Sequence, residues 1–185
     1  MAVPWRRRLW LRQAGRAAAL LSTLGGAVWL SGLPLLFPSL GPTAYLFASR
    51  PAAAESAPRR VLGGHVLGVV AGLLAYHLAA GGVALDWLAD PGSMAALRLA
   101  ASGVLAVGLT TAGMAVTDTG HAPACATTLI VSLGILTTPR AALVIVLAVV
   151  ALVGQQELLQ WIGVTPDDQS SEATGPSTSA RRSRT

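Results

Sequence analysis

Three stretches of this chain, Val61 to Ala80, Leu97 to Val116 and Ala141 to Trp161, run for a full membrane thickness with at most one formally charged side chain each. A helix needs about 20 apolar residues to cross the hydrocarbon core of a bilayer. Runs of that kind force backbone polar groups to pair within their own segment, which leaves helices as the architecture. The composition agrees, with 53% hydrophobic and 11% charged side chains, where soluble chains carry about a quarter charged. The expected class is an all-α, polytopic transmembrane helical bundle.

The charges mark the ends and the breaks. Arg6, Arg7, Arg8, Arg12 and Arg16 crowd residues 1–16, a basic cytoplasmic N-terminal arm. Between Ala17 and Gln160 the charged residues are Arg50, Glu55, Arg59, Arg60, Asp86, Asp90, Arg98, Asp118, Arg140 and Glu157. Residues 162–185 are polar and rich in Ser, Thr and Pro, with no apolar periodicity, and are expected to be a disordered tail. A net charge of +5 would suggest nucleic acid for a soluble protein. In a membrane chain it reports topology, because arginine is retained on the cytoplasmic side, so no nucleic-acid partner is expected. The start resembles a secretory signal, but no small-residue cleavage site follows promptly, and an uncleaved first span is expected.

Two further apolar regions are interrupted. Residues 17–49 exceed one span and contain Gly32, Pro34, Pro38, Gly41 and Pro42, whereas residues 122–137 fall slightly short of one. If both cross as broken segments, Arg50, Arg59 and Arg60 stay on the same side as the N-terminal arginines. "DWLAD" then lies outside, with Trp87 as its interface anchor. That arrangement gives about six membrane segments, two of them short or broken, within residues 17–161, a plasma-membrane location, and both termini in the cytoplasm.

The interrupted regions resemble each other. Setting "FPSLGPTAYLFA" over "HAPACATTLIVS" aligns Phe37 with His121 and Thr43 with Thr127. Each has an early proline, small residues, a central Thr and an apolar end. Each is followed by a Pro-Arg pair, Pro58-Arg59 and Pro139-Arg140, that opens a helix. Two three-segment units, about 17–80 and 97–161, would have opposite orientations, the inverted-repeat plan of many transporters.

Candidate site residues follow from the proline positions. Proline suits a helix start because it has no N–H to leave unpaired, and free amides at such a start attract anions. His121, Pro123, Thr127 and Thr128 in one unit, and Ser39, Gly41 and Thr43 in the other, are the expected substrate contacts. Asp118, Arg59, Arg60 and Arg140 are gating or electrostatic candidates near the entrances. Gly64, Gly68 and Gly72 recur every four residues and form a close-packing face for a helix of the same chain or of a second copy, so a homo-oligomer is one reading. His65 and His77 are expected near the membrane interfaces, and Cys125 is expected to be a small packing residue. Paired intramembrane carboxylates, a nucleophile motif and a metal-ligand spacing are not present, so the chain is expected to be no enzyme and to need no cofactor or metal.

These residues resemble the HPP family of integral membrane proteins. Its members carry a His-Pro-Pro signature followed by small residues, and an earlier Pro-x-Gly-Ala-Ser/Thr segment. "HAPACATTLIVSLG", "FPSLGPTAYLFASRP" and "PRRVLGGHVLGVVAGLLAYHL" carry the likeness, which covers about Leu33 to Leu152. Ala122 stands in place of the first proline of the signature, and Cys125 in place of a usual glycine. Plant and cyanobacterial relatives are associated with nitrite transport. The resemblance therefore implies a transporter or channel for a small inorganic anion, with nitrite as the named candidate. The alternative is a membrane scaffold without a transported substrate.

Overall fold

A computed structural model describes residues 4–83 and 90–163 of the chain. Trp87 and Asp86, and the tail beyond Gly163, lie outside the described residues, as does the disorder expected of that tail. The described residues form helices joined by turns. In order they are α1 (Pro4–Ser31), α2 (Leu40–Ser49), α3 (Pro58–Ala75), α4 (Met94–Thr117), α5 (Ala124–Ser132) and α6 (Pro139–Trp161).

Local chemistry sets the boundaries. α1 ends at Gly32, whose φ of 67° closes the helix, and Pro34 and Pro38 prevent it from restarting at once. α2 stops before Pro51, because the residue preceding a proline is pushed out of the helical region. α3 and α6 open on Pro58 and Pro139 at their first positions. The hydroxyls of Ser93 and Thr138 cap α4 and α6, accepting from the Ala96 and Ala141 amides at 3.2 and 3.1 Å. α3 runs on into a wider turn, Tyr76–Ala80, which ends at Gly81 with φ 60°.

Among the described residues three helices are long and apolar enough to cross a membrane: α3 extended to Ala80, α4 and α6. They cover the three uninterrupted stretches expected from the sequence. α1 continues through the expected basic arm as one helix of 28 residues, and its first half holds the arginines. α2 and α5 have 10 and 9 residues, about 15 and 14 Å at the usual helical rise, so neither can span a bilayer alone. The interruptions expected in residues 17–49 and 122–137 are real, at residues 32–39 and 133–138.

The distribution of polarity is that of a lipid-embedded bundle. Large apolar side chains face outward, among them Val116, Val104, Leu97 and Leu143. Ser39, Thr43, His65, Ser102, Thr110, His121, Thr127 and Thr128 are buried. The apolar core joins Leu20 and Leu24 of α1, Phe47 of α2, Val69 of α3, Val131 of α5, and Ile145 and Leu152 of α6. α5 lies chiefly against α3, with α4 alongside, and α1 packs on α2 and α6.

The glycine face of α3 receives α5. A Cβ on Gly68 would lie 2.8 Å from the Ala124 carbonyl oxygen and 2.8 Å from Thr128 Oγ1. At Gly64 it would meet the His121 Cβ at 3.1 Å, and at Gly72 the Val131 Cβ at 2.8 Å. The partner of the stripe is therefore a helix of the same chain. Gly63 extends the face, since a Cβ there would come within 2.6 Å of the Thr119 side chain.

Candidate functional site

His65 sits one residue past Gly64 on the face that α5 covers, so its ring enters the space between α2, α3 and α5. Its two nitrogens meet two threonines: Nε2 lies 3.3 Å from Thr43 Oγ1 of α2, and Nδ1 lies 2.8 Å from Thr127 Oγ1 of α5. Thr43 Oγ1 is also 3.0 Å from His121 Nε2 and 3.1 Å from the Ser39 carbonyl. Ser39 Oγ is 2.6 Å from Thr127 Oγ1. His121 Nδ1 lies 2.8 Å from the Glu55 carbonyl, on the short turn between α2 and α3. The two imidazoles are 5.2 Å apart at a tilt of 58°. Ser39, Thr43, His65 and Thr127 have no exposed surface, and His121 is 1% exposed.

The Glu55 carbonyl fixes the proton on His121, and the rest of the order follows when the Thr43 hydroxyl turns to that ring rather than to the Ser39 carbonyl. A backbone carbonyl can only accept, so His121 Nδ1 carries a hydrogen and donates it to Glu55. In the neutral ring Nε2 is then an acceptor, and the Thr43 hydroxyl donates to it. Thr43 Oγ1 accepts in turn from His65 Nε2–H. His65 Nδ1 accepts from the Thr127 hydroxyl, and Thr127 accepts from Ser39. The result is one directional chain, Ser39 to Thr127 to His65 to Thr43 to His121 to Glu55. Each hydroxyl or ring hydrogen is used once, as buried polar groups in an apolar bundle require.

A second polar seam joins α5 to α4. Thr128 Oγ1 lies 2.8 Å from Thr110 Oγ1 and donates to the Ala124 carbonyl at 3.1 Å. Ser102 donates to the Ser132 carbonyl at 2.8 Å. Thr128 thus belongs to this seam rather than to the histidine chain.

The helix starts differ in detail from the sequence expectation. Pro123 is the cap residue of α5 rather than its first helical residue, and Ser39 caps α2 without a side-chain bond to the helix. The amides of Ala124, Cys125 and Ala126 donate to the carbonyls of His121, Ala122 and Pro123. These tight turns occupy the N–H groups that the sequence reading left open for an anion. At the start of α5 the donors that remain for a ligand are side chains, the hydroxyls and imidazoles. Gly41 is half-buried with open space where a Cβ would sit.

Above His121 lies a charged rim. Arg60 Nη2 pairs with Asp118 Oδ1 at 2.7 Å, and Arg59 Nη2 donates to the Thr117 carbonyl at 2.9 Å. Asp118 ends α4 in a left-handed conformation, φ 52°, and its side chain is 68% exposed. Arg140 is exposed in the first turn of α6. Among the described residues no three of His, Cys, Asp and Glu converge as metal ligands.

The structure thus brings together Ser39, Thr43, His121 and Thr127 from the two proline-bearing segments. His65 is a correction: it is a core residue, not an interface one, because its neighbours on α3 are the glycines that admit α5. Its place within the Gly64–Gly72 stripe is the signal that could have found it. Thr110 and Ser102 carried no comparable mark. His77 is exposed in the last turn of the α3 extension, and Cys125 is partly buried with a free thiol.

The family described as HPP, transmembrane region, matches residues 1–161 of the chain. No curated protein and no solved structure matches it. A match over that length, together with the His121-Ala122-Pro123 turn and the apolar bundle around it, places the chain in the HPP family of integral membrane proteins.

Proposed function

We propose that this HPP protein is a transporter or channel, not an enzyme, that moves a small inorganic anion across the plasma membrane, with nitrite as the first candidate. One observation carries the reading: Ser39, Thr43, His65, His121 and Thr127 converge from α2, α3, α5 and the turns that open α2 and α5 at 0–1% exposure inside a bundle whose outer surface is apolar. Polar and ionisable groups held at such depth mark substrate and ion pathways. Hydroxyls and imidazole N–H groups are the donors that an oxyanion needs. They bond to one another here, so an anion would enter by opening the 2.6 Å Ser39–Thr127 contact and taking over its hydrogens.

The full proposal has six crossings in two inverted three-segment units, with α2 and α5 as the discontinuous segments near the midplane. The N-terminal arginines, Arg50, Arg59 and Arg60 lie on the cytoplasmic side together with both termini. Arg59 and Arg60 add positive potential at one entrance, and Arg140 adds it at the other. α5 fills the glycine face of α3, which takes from the scaffold alternative the surface it drew on.

The test is flux into liposomes containing the purified protein, measured for nitrite, nitrate, chloride and formate. The wild type is expected to pass nitrite, and His121→Ala to lose most of that flux. Undiminished flux in the variant would remove the site, and no flux of any anion would remove the function.

A further inference from the structure

The buried chain has more hydrogen-bond contacts than protons to fill them. The contacts are six: Ser39–Thr127, Thr127–His65, His65–Thr43, Thr43–His121, His121–Glu55 carbonyl, and Thr43–Ser39 carbonyl. With both rings neutral, three hydroxyls and two imidazoles supply one hydrogen each. The Thr43 hydroxyl must therefore choose between His121 Nε2 at 3.0 Å and the Ser39 carbonyl at 3.1 Å.

A sixth proton removes the choice. If it forms an N–H bond at His121 Nε2, the Thr43 hydroxyl rotates onto the Ser39 carbonyl. Thr43 Oγ1 then accepts from both histidines with its two lone pairs. Every contact is filled, no donor is orphaned, and no other covalent bond breaks. The proton comes from water and returns to it. Two charged rings 5.2 Å apart would repel each other and leave no acceptor for a seventh hydrogen, so the pair holds one extra proton and not two.

We infer that the Thr43-linked His65–His121 pair is a binding site for a single proton, and that this proton is the coupling ion of transport. The transport half rests on the anion reading above; the proton site does not. Loading leaves one positive charge in the core, which matches one monovalent anion, so proton and anion would cross together without net charge. The charged groups around His121 are Glu55 on the neighbouring turn, Arg60 on α3, and Asp118 at the end of α4, which Arg60 holds at 2.7 Å. α2 and α5 contribute no charged side chain. Exposed Asp118 and half-buried Glu55 lie on the rim side, where a proton would be gathered from water.

Two measurements test this. Nitrogen-15 NMR of histidine-labelled protein in lipid nanodiscs reads which ring nitrogen is protonated. At neutral pH His121 is expected as the Nδ1–H tautomer and His65 as the Nε2–H tautomer. Acidification is expected to add one proton to the pair. His121 protonated at Nε2 in the neutral protein, or both rings charging together, would overturn the site without recourse to any variant. Thr43→Val is expected to remove the hydrogen-bond signature at His121 Nε2, and Thr43→Ser to keep it.

The second measurement is nitrate uptake into liposomes at zero membrane potential with the outside one pH unit more acidic. Nitrate is used because its conjugate acid is too strong to cross unaided. One-to-one coupling is expected to give about tenfold accumulation for the wild type, and none for protein-free liposomes. Nitrate that equilibrates without accumulating would overturn coupling and leave the anion path standing. No movement of nitrate or nitrite would overturn the anion reading and with it the coupling, while the NMR result still decides the proton site.

Discussion

Replacing Gly68 with alanine sets two measurable effects against each other. Within a helix, alanine is favoured over glycine by about 0.8–1 kcal/mol, so the substitution would stabilise α3 in isolation. Here the added methyl falls 2.8 Å from the Ala124 carbonyl oxygen and 2.8 Å from Thr128 Oγ1, inside van der Waals contact on both sides. Ala124 is backbone at the start of α5, and Thr128 is held by Thr110 and by the Ala124 carbonyl, so neither can yield by turning a flexible end. Forcing atoms into such a contact costs about 1–3 kcal/mol. The expected net change is a loss of up to about 2 kcal/mol, and about 1–3 kcal/mol relative to an alanine that gains propensity without a clash. For a domain of this size that corresponds to a fall in Tm of up to about 8 °C, read by intrinsic fluorescence in detergent micelles. Gly108 of α4 and Gly154 of α6 have nothing within 4 Å of the point where an added methyl would sit and provide the control. Their alanine variants keep the propensity gain alone, so Tm is expected to rise by a degree or more. A Gly68→Ala protein as stable as Gly108→Ala would refute the claim that the glycine stripe exists to admit α5.

Three further outcomes follow from the site. Thr43→Val leaves ring nitrogens of His65 and His121 without their shared hydroxyl and is expected to cost about 1–3 kcal/mol, against little for Thr43→Ser, as compared by thermal melts. Asp118→Asn removes an exposed pair with Arg60, and such pairs contribute about 0–1 kcal/mol. Asn tolerates the left-handed backbone, whereas Asp118→Val is expected to cost about 1–2 kcal/mol because the left-handed conformation crowds a side chain. His65→Ala is expected to be more damaging than His77→Ala by several degrees in Tm, since only the former leaves a buried cavity and orphaned threonine hydroxyls.

The long apolar runs and the Pro-Arg pairs were legible because they answer to rules that need no partner: length against bilayer thickness, and proline at a helix start. The likeness of residues 37–48 to residues 121–132 was legible as an order of features, and it led to Thr43 and Thr127. Those matched threonines do share a function in the structure, since they hold opposite nitrogens of one ring. That ring, His65, was hidden because its role depends on a contact between α2 and α5 across many residues of sequence. A histidine one turn after two arginines reads locally as an interface residue. Only the glycines beside it hint that a helix covers it. The pairing of the amides at the start of α5 is hidden for a similar reason: the tight turn from His121 to Pro123 supplies carbonyls that a cap rule alone does not foresee.

The account depends on the two interrupted segments meeting at one buried point, and a disulfide measures that directly. Cys125 is the only cysteine, so Cys125→Ala gives a clean background for Ser39→Cys with Thr127→Cys. The hydroxyl oxygens of those residues are 2.6 Å apart, within reach of a sulfur–sulfur bond. Mild oxidant applied to native membranes is expected to join the pair within each chain, as a mobility shift reversed by reductant. Failure of this pair to cross-link, while the control pair Thr110→Cys with Thr128→Cys on the α4–α5 seam does so, would contradict the meeting of α2 and α5.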